Sequence, residues 1–115
     1  MLHHVGIEIA PRDVEATVGF FELLGFERVE PPETLQEFTW LERGGTQVHL
    51  MPEAEPTVPS SGHLAVVVDD FEATIARVRE ADFDVEPKRE HWGEPRALAV
   101  APGGHRVELM AAAPA

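Results

Sequence analysis

Apolar and polar positions alternate through residues 5–9, where Gly6 and Glu8 separate Val5, Ile7 and Ile9. This period of two predicts a half-buried strand. The period then lengthens: Val14, Val18, Phe21 and Leu24 fall on one stripe of a helix that Asp13 is expected to cap and Gly25 to end. A short strand is predicted at 26–29, closed by Pro31 and Pro32. Strands at 36–41 and 46–51 should form a hairpin around Gly44 and Gly45, which tolerate the positive φ of a tight turn. Residues 52–61 are proline-rich and aperiodic, and they read as a linker. The same succession then returns. It comprises a strand at 62–68, a helix from Asp69 or Asp70 to about Ala81, and a strand at 83–85. A proline-containing excursion at 87–95 and strands at 96–101 and 105–110 complete it, and the small tail 111–115 is expected to fray.

The return extends to the residues themselves. Gly44-Gly45-Thr46-Gln47-Val48-His49-Leu50-Met51 aligns with Gly103-Gly104-His105-Arg106-Val107-Glu108-Leu109-Met110 at an offset of 59. At the same offset His4-Val5-Gly6-Ile7 falls on His63-Leu64-Ala65-Val66, whereas the helices match at 57. Two extra residues are therefore expected in the first copy near Pro11 and Arg12. An internal repeat of this kind sets the architecture. The expected fold is α+β: two tandem βαβββ modules, 1–51 and 62–110, in one domain, forming a curved, cleft-enclosing mixed sheet with its helices outside.

The matched positions pair His4 with His63 and His49 with Glu108, all side chains that bind metals. Alternate strand residues face opposite sides of a sheet. Val5, Ile7, Ile9, Leu64, Val66, Val68, Val48, Leu50, Val107 and Leu109 should face the helices, leaving the four ligand-type residues on the opposite face. If the pairing with Ala97 and Ala99 holds, Phe38 and Trp40 share that face, while Thr39, Leu41, Leu98 and Val100 face the helices.

Composition narrows the chemistry. With no cysteine, any metal must sit on histidine, carboxylate or water. A formal charge of -12, from 21 acidic and 9 basic residues, repels nucleic acid and anionic membranes, so neither is an expected partner. No apolar run is long enough to span a bilayer and no leader pattern is visible, so the expected location is cytoplasmic. A 43% hydrophobic content suffices for a packed core.

The stretches His4-Val5-Gly6-Ile7, Phe20-Phe21-Glu22-Leu23-Leu24-Gly25-Phe26, Gly62-His63-Leu64-Ala65 and Gly104-His105-Arg106-Val107-Glu108-Leu109 resemble the vicinal oxygen chelate superfamily. That superfamily includes glyoxalase I, methylmalonyl-CoA epimerase, extradiol dioxygenases and bleomycin-resistance proteins. The resemblance implies ligands on the first and last strand of each module, here His4, His49, His63 and Glu108, around a divalent ion (Zn, Ni, Co, Mn or Fe). It departs at His49, where glyoxalase I usually has Glu and the epimerases Gln, and in the absence of tyrosine. It also implies a small-molecule substrate with adjacent oxygens, and lyase or isomerase chemistry with Glu108 and His49 as the proton-moving candidates. An extradiol-type dioxygenase and a drug-binding resistance protein are the alternatives. Phe38, Trp40, Met51, Trp92 and Arg96 are candidate pocket residues. Trp92 reads equally as lid or loop anchor, and Arg96 and Arg106 read more simply as surface residues. His3 and His105 are expected to have no functional role. A homodimer with two equivalent sites is the expected assembly.

Overall fold

A computed structural model describes the whole chain, Met1–Ala115. It divides into two compact units, Met1–Val58 and Pro59–Ala115, with the boundary inside the predicted linker. The first unit runs β1 (His4–Ile9), α1 (Val14–Leu23), β2 (Glu27–Val29), β3 (Thr39–Arg43) and β4 (Thr46–Pro52). The second runs β5 (His63–Val67), α2 (Phe71–Glu80), β6 (Val85–Lys88), β7 (Arg96–Val100) and β8 (Arg106–Met110). Each builds a four-stranded mixed sheet, ordered β1-β4-β3-β2 and β5-β8-β7-β6. In both, the first and last strands lie side by side and parallel. The α+β class and the βαβββ repeat therefore hold.

The core of the first unit gathers Val18, Phe20, Phe21 and Leu24 of α1 and its exit against Ile9, Leu41, Val48 and Leu50. Each large apolar side chain buried in this way contributes about 1.5–3 kcal/mol. The second core is built from smaller residues: Ile75, Val78, Ala97, Ala99, Val107 and Leu109. No helix is long and apolar enough to cross a membrane.

Several local expectations change. Asp13 makes no side-chain cap; a 3-10 turn over Pro11–Asp13 runs straight into α1. In the second unit Asp70 does cap its helix, accepting from the Ala73 amide at 3.1 Å. The 3-10 turn is where the first copy holds its two extra residues. Strand β3 begins at Thr39 after a 3-10 turn over Glu33–Leu35, so Phe38 precedes the strand and parity does not aim its side chain. Strand β6 continues to Lys88, with Pro87 paired to Ala97. The missing amide of Pro87 is tolerated because β6 is an edge.

The largest correction concerns β7. Ala97 pairs with Leu109 and Ala99 with Val107, all four fully buried, so the two alanines belong to the core face. Leu98 pairs with Glu108 and Val100 with Arg106, on the opposite face. The cause is hairpin length. Arg43 pairs with Thr46 across a two-residue turn, whereas Val100 and Arg106 are separated by five residues. The partner of Glu108 is therefore Leu98, and Leu98 is the counterpart of Trp40, which pairs with His49.

Two further expectations shift at the chain's connections. The linker is tied along β1, since the Glu53 amide donates to the Ile9 carbonyl at 2.9 Å and the Thr57 amide to Glu8 Oε1 at 2.9 Å. The tail does not fray at its start, because the Ala111 amide donates to the Pro95 carbonyl at 3.0 Å.

Candidate functional site

In the first unit the parallel register sets Gly6 beside His49 and His4 beside Gln47; the antiparallel register adds Trp40 beside His49 and Glu42 beside Gln47. Directly paired residues project from the same face of a sheet. The result is a three-ring stack. His49 lies between His4, with centroids 3.9 Å apart and planes 14° apart, and Trp40, at 4.0 Å and 3°. Gly6 carries no side chain here, and a Cβ at that position would lie 3.1 Å from the terminal methyl of Met51. Met51 thus packs across the gap that glycine leaves.

A polar chain fixes the central ring. Gln47 Nε2 lies 3.0 Å from Glu42 Oε1, and His49 Nε2 lies 2.7 Å from Gln47 Oε1. A carboxylate only accepts, so the amide NH2 must face Glu42 and the amide oxygen must face His49. His49 therefore donates from Nε2 and keeps its lone pair on Nδ1. Burial, reinforced by His4 and His3, lowers the His49 pKa from 6.5 to about 4, so the ring is neutral near pH 7. Metal ligation by imidazole lies in the ring plane. The nearly parallel planes of His4 and His49 do not meet within bonding reach, so joint ligation of one ion needs one ring to leave the stack.

His3, expected to be idle, lies ahead of β1 with Nδ1 2.9 Å from His4 Nδ1 and its edge toward His49. Strand parity would put it on the core side, but it stands ahead of β1 and is exposed. The indole N–H of Trp40 is buried without a protein acceptor. A buried donor left in that state costs about 1–3 kcal/mol.

The second unit places Ala65 and Leu98 beside Glu108. Glu108 is buried, and Arg96 Nε donates to its Oε2 at 2.8 Å. A second donation, from Arg96 Nη1 to the Arg89 carbonyl at 2.8 Å, holds one edge of the guanidinium. Arg96 is therefore mostly covered and paired with Glu108, not a free surface charge. His63 Nε2 stands 3.3 Å from Glu108 Oε1, while His63 Nδ1 is 3.0 Å from the Ser61 carbonyl. That carbonyl requires a hydrogen on Nδ1, so a neutral His63 turns its Nε2 lone pair toward a carboxylate oxygen. Such an arrangement is balanced only by a proton or a cation between them.

Of the remaining candidates, Trp92 donates its indole N–H to the Ala112 carbonyl at 3.0 Å and so ties its loop to the tail. That favours the anchor over the lid. Phe38 and Met51 are half-buried, while His105, expected to be a plain turn residue, is buried. The structure thus brings together His4 with His49 in one unit and His63 with Glu108 in the other. In neither unit do three histidine or carboxylate side chains gather as a metal-holding group.

The fold has many relatives of known structure. A Bacillus anthracis protein described as of the glyoxalase family is 21% identical, with 96% of this chain and 93% of that chain covered and a TM-score of 0.84. The oxidase ChaP-H2 is 20% identical over 99% and 94%, with a TM-score of 0.77. A lactoylglutathione lyase from Agrobacterium tumefaciens is 16% identical over 96% and 92%, with a TM-score of 0.73. The sequence matches no curated protein. The family model of the Glyoxalase/Bleomycin resistance protein/Dioxygenase superfamily matches residues 1–109. With βαβββ modules carrying His4, His49, His63 and Glu108 on their first and last strands, this chain belongs to that superfamily.

Proposed function

We propose that the protein is a metal-dependent lyase or isomerase of the glyoxalase type, acting on a small molecule with two adjacent oxygens. His4, His63 and Glu108 would hold a divalent cation, and His49, also a candidate fourth ligand, would act as a proton carrier. The observation that carries the proposal is the His63–Glu108 pair. Two donors bound to one ion at about 2.0–2.2 Å stand roughly 2.8–3.6 Å apart at angles between octahedral and tetrahedral. The 3.3 Å separation of His63 Nε2 and Glu108 Oε1 fits that spacing. The Ser61 carbonyl holds the His63 tautomer as an outer partner of a metal-bound histidine does.

A divalent ion there would supply Lewis acidity, making the C–H beside a coordinated carbonyl easier to deprotonate. The protein's own part is to receive and return that proton. His49 offers a neutral Nδ1 lone pair, and its stacking between His4 and Trp40 supports the carrier role over ligation. Glu108 is the second proton-moving candidate: Arg96 holds only its Oε2, so Oε1 would take a proton when it is not on the ion. In the first unit the half-buried Trp40, Phe38 and Met51 would supply apolar walls.

Elemental analysis of protein purified without chelators tests the proposal. We expect close to one divalent ion per set of four residues, and proton exchange or turnover with hemithioacetals or α-hydroxycarbonyls. Iron with oxygen uptake on catechols would instead establish the dioxygenase alternative, which a two-histidine, one-carboxylate set also suits. Metal-free protein that binds aromatic drugs tightly would establish a resistance protein.

The two donor pairs are proposed as halves of one centre, with two chains associating as a two-fold dimer. Refolding His4→Ala chains together with Glu108→Gln chains shows whether halves come from different chains. Shared centres recover a fraction of metal binding in the mixed dimer, and intrachain centres recover none. Monomeric behaviour in light scattering would remove the dimer.

A further inference from the structure

We propose that Glu42 and Gln47 form a positioning relay that sets the tautomer of His49, directing its ring hydrogen to Nε2 and leaving the basic lone pair on Nδ1. The relay deepens the proton-carrier role given above to His49 and rests on it only for its catalytic consequence.

Its geometry is set by strand register. Glu42 and Gln47 are cross-strand partners on β3 and β4, and Gln47 and His49 are two residues apart on one face of β4. The three side chains therefore line up in order. Glu42 Oε1 receives from Gln47 Nε2 at 3.0 Å, and Gln47 Oε1 receives from His49 Nε2 at 2.7 Å. An amide is ambiguous by itself, because its oxygen and nitrogen are nearly isosteric. The Glu42 carboxylate removes the ambiguity: it accepts only, so it captures the NH2 and turns the oxygen toward His49. Stacking fixes the plane of the imidazole, and the relay fixes its rotation within that plane. A neutral histidine becomes a base of defined direction. A group that carries a proton must point its lone pair at the reacting C–H, so direction counts as much as basicity. Gln47 and Glu42 act through His49 and need not touch substrate.

The relay makes a prediction that a merely structural hydrogen bond does not. In Glu42→Lys the ammonium can only donate, so it captures the Gln47 oxygen and turns the NH2 toward His49. His49 Nε2 must then accept, and the ring hydrogen moves to Nδ1. The experiment is nitrogen NMR of histidine-labelled, metal-free protein at about pH 8. Wild type should show a single Nε2–H tautomer at His49. Glu42→Lys should exchange the pyrrole-type and pyridine-type resonances, Glu42→Gln should give a mixture, and Gln47→Glu should keep the wild-type tautomer because a carboxylate also accepts. An unchanged tautomer in Glu42→Lys overturns the relay; should that variant not fold, an unchanged single tautomer in Glu42→Gln does so. Activity is read separately. With His49 as the proton carrier, tautomer inversion lowers kcat by about 10–100-fold and changes KM little. Inversion with undiminished kcat would leave the relay standing and remove His49 from proton transfer.

Discussion

Glu108→Gln is expected to abolish tight divalent-cation binding and to lower turnover by at least about 100-fold, while the protein stays folded. Even outer partners of metal ligands are worth about 10–100-fold in affinity or activity, and a ligating carboxylate contributes more. The choice of glutamine matters because of what surrounds the side chain. From the sequence alone, removing this carboxylate could be expected to relieve charge repulsion in a metal-free site. The structure reverses that expectation, for its neighbours are the Arg96 guanidinium at 2.8 Å and His63 at 3.3 Å. Arg96 has a side chain only 19% exposed, so Glu108→Ala would leave its charge without a counter-ion. That truncation should cost about 2–3 kcal/mol, in the range seen when one member of a partly buried pair is deleted. The amide oxygen of glutamine still accepts from Arg96 Nε, so the loss of metal is separated from the loss of fold. Chelator competition measures the first and thermal unfolding the second. Undiminished metal affinity in Glu108→Gln would remove Glu108 from the centre. A structural role would show as a large fall in the stability of metal-free Glu108→Gln.

The outcome at Glu108 shows where a sequence speaks and where it stops. The repeat at an offset of 59 located both modules, because βαβββ units reuse the same turn glycines and the same inward residues. Parity placed His49 on the face opposite Val48 and Leu50, and the observed register agrees. Parity failed in β7 because it was propagated through the wrong turn length. Leu98 and Val100 look like core residues by size, yet Ala97 and Ala99 fill the core against Val107 and Leu109. Small residues there leave no hydrophobic signature to correct the register. The polar network was less legible still. Gln47 and Glu42 are ordinary strand residues until the hairpin register sets them side by side, and Arg96 meets Glu108 only across β7 and β8. A signal for Gln47 did exist: it stands two residues before His49, on the same face of one strand. Asp13 failed as a cap because Pro11 and Arg12 extend the helix entry into a 3-10 turn, a choice local propensity does not dictate.

Acid is expected to weaken the metal-free protein through His49 specifically. The folded pKa of about 4 lies below the unfolded value of 6.5, so between these values the unfolded chain binds more protons than the native one. Stability from this residue is therefore fully present above pH 6.5, falls as the pH drops, and is exhausted below the folded pKa. At 1.36 kcal/mol for each unit of separation, the loss amounts to about 2–3 kcal/mol by pH 4. Two physical causes act together. Protonation puts a charge into a ring that burial has removed from water, and that charge stands beside His4 and His3, whose coulombic effect also disfavours it. It also places a second hydrogen on Nδ1, ending the lone pair that the relay keeps free. Other groups contribute to the pH dependence of the whole protein, so the measurement is a difference. His49→Phe retains an aromatic ring between Trp40 and His4 but has nothing to protonate. Denaturant unfolding of both proteins with a chelator present, from about pH 8 to pH 4, should give curves that run parallel above pH 6.5. Below it the wild type should lose stability relative to the variant. A constant difference across the whole range, or a His49 midpoint near 6.5 by NMR titration, would show that the ring is not held neutral by its surroundings.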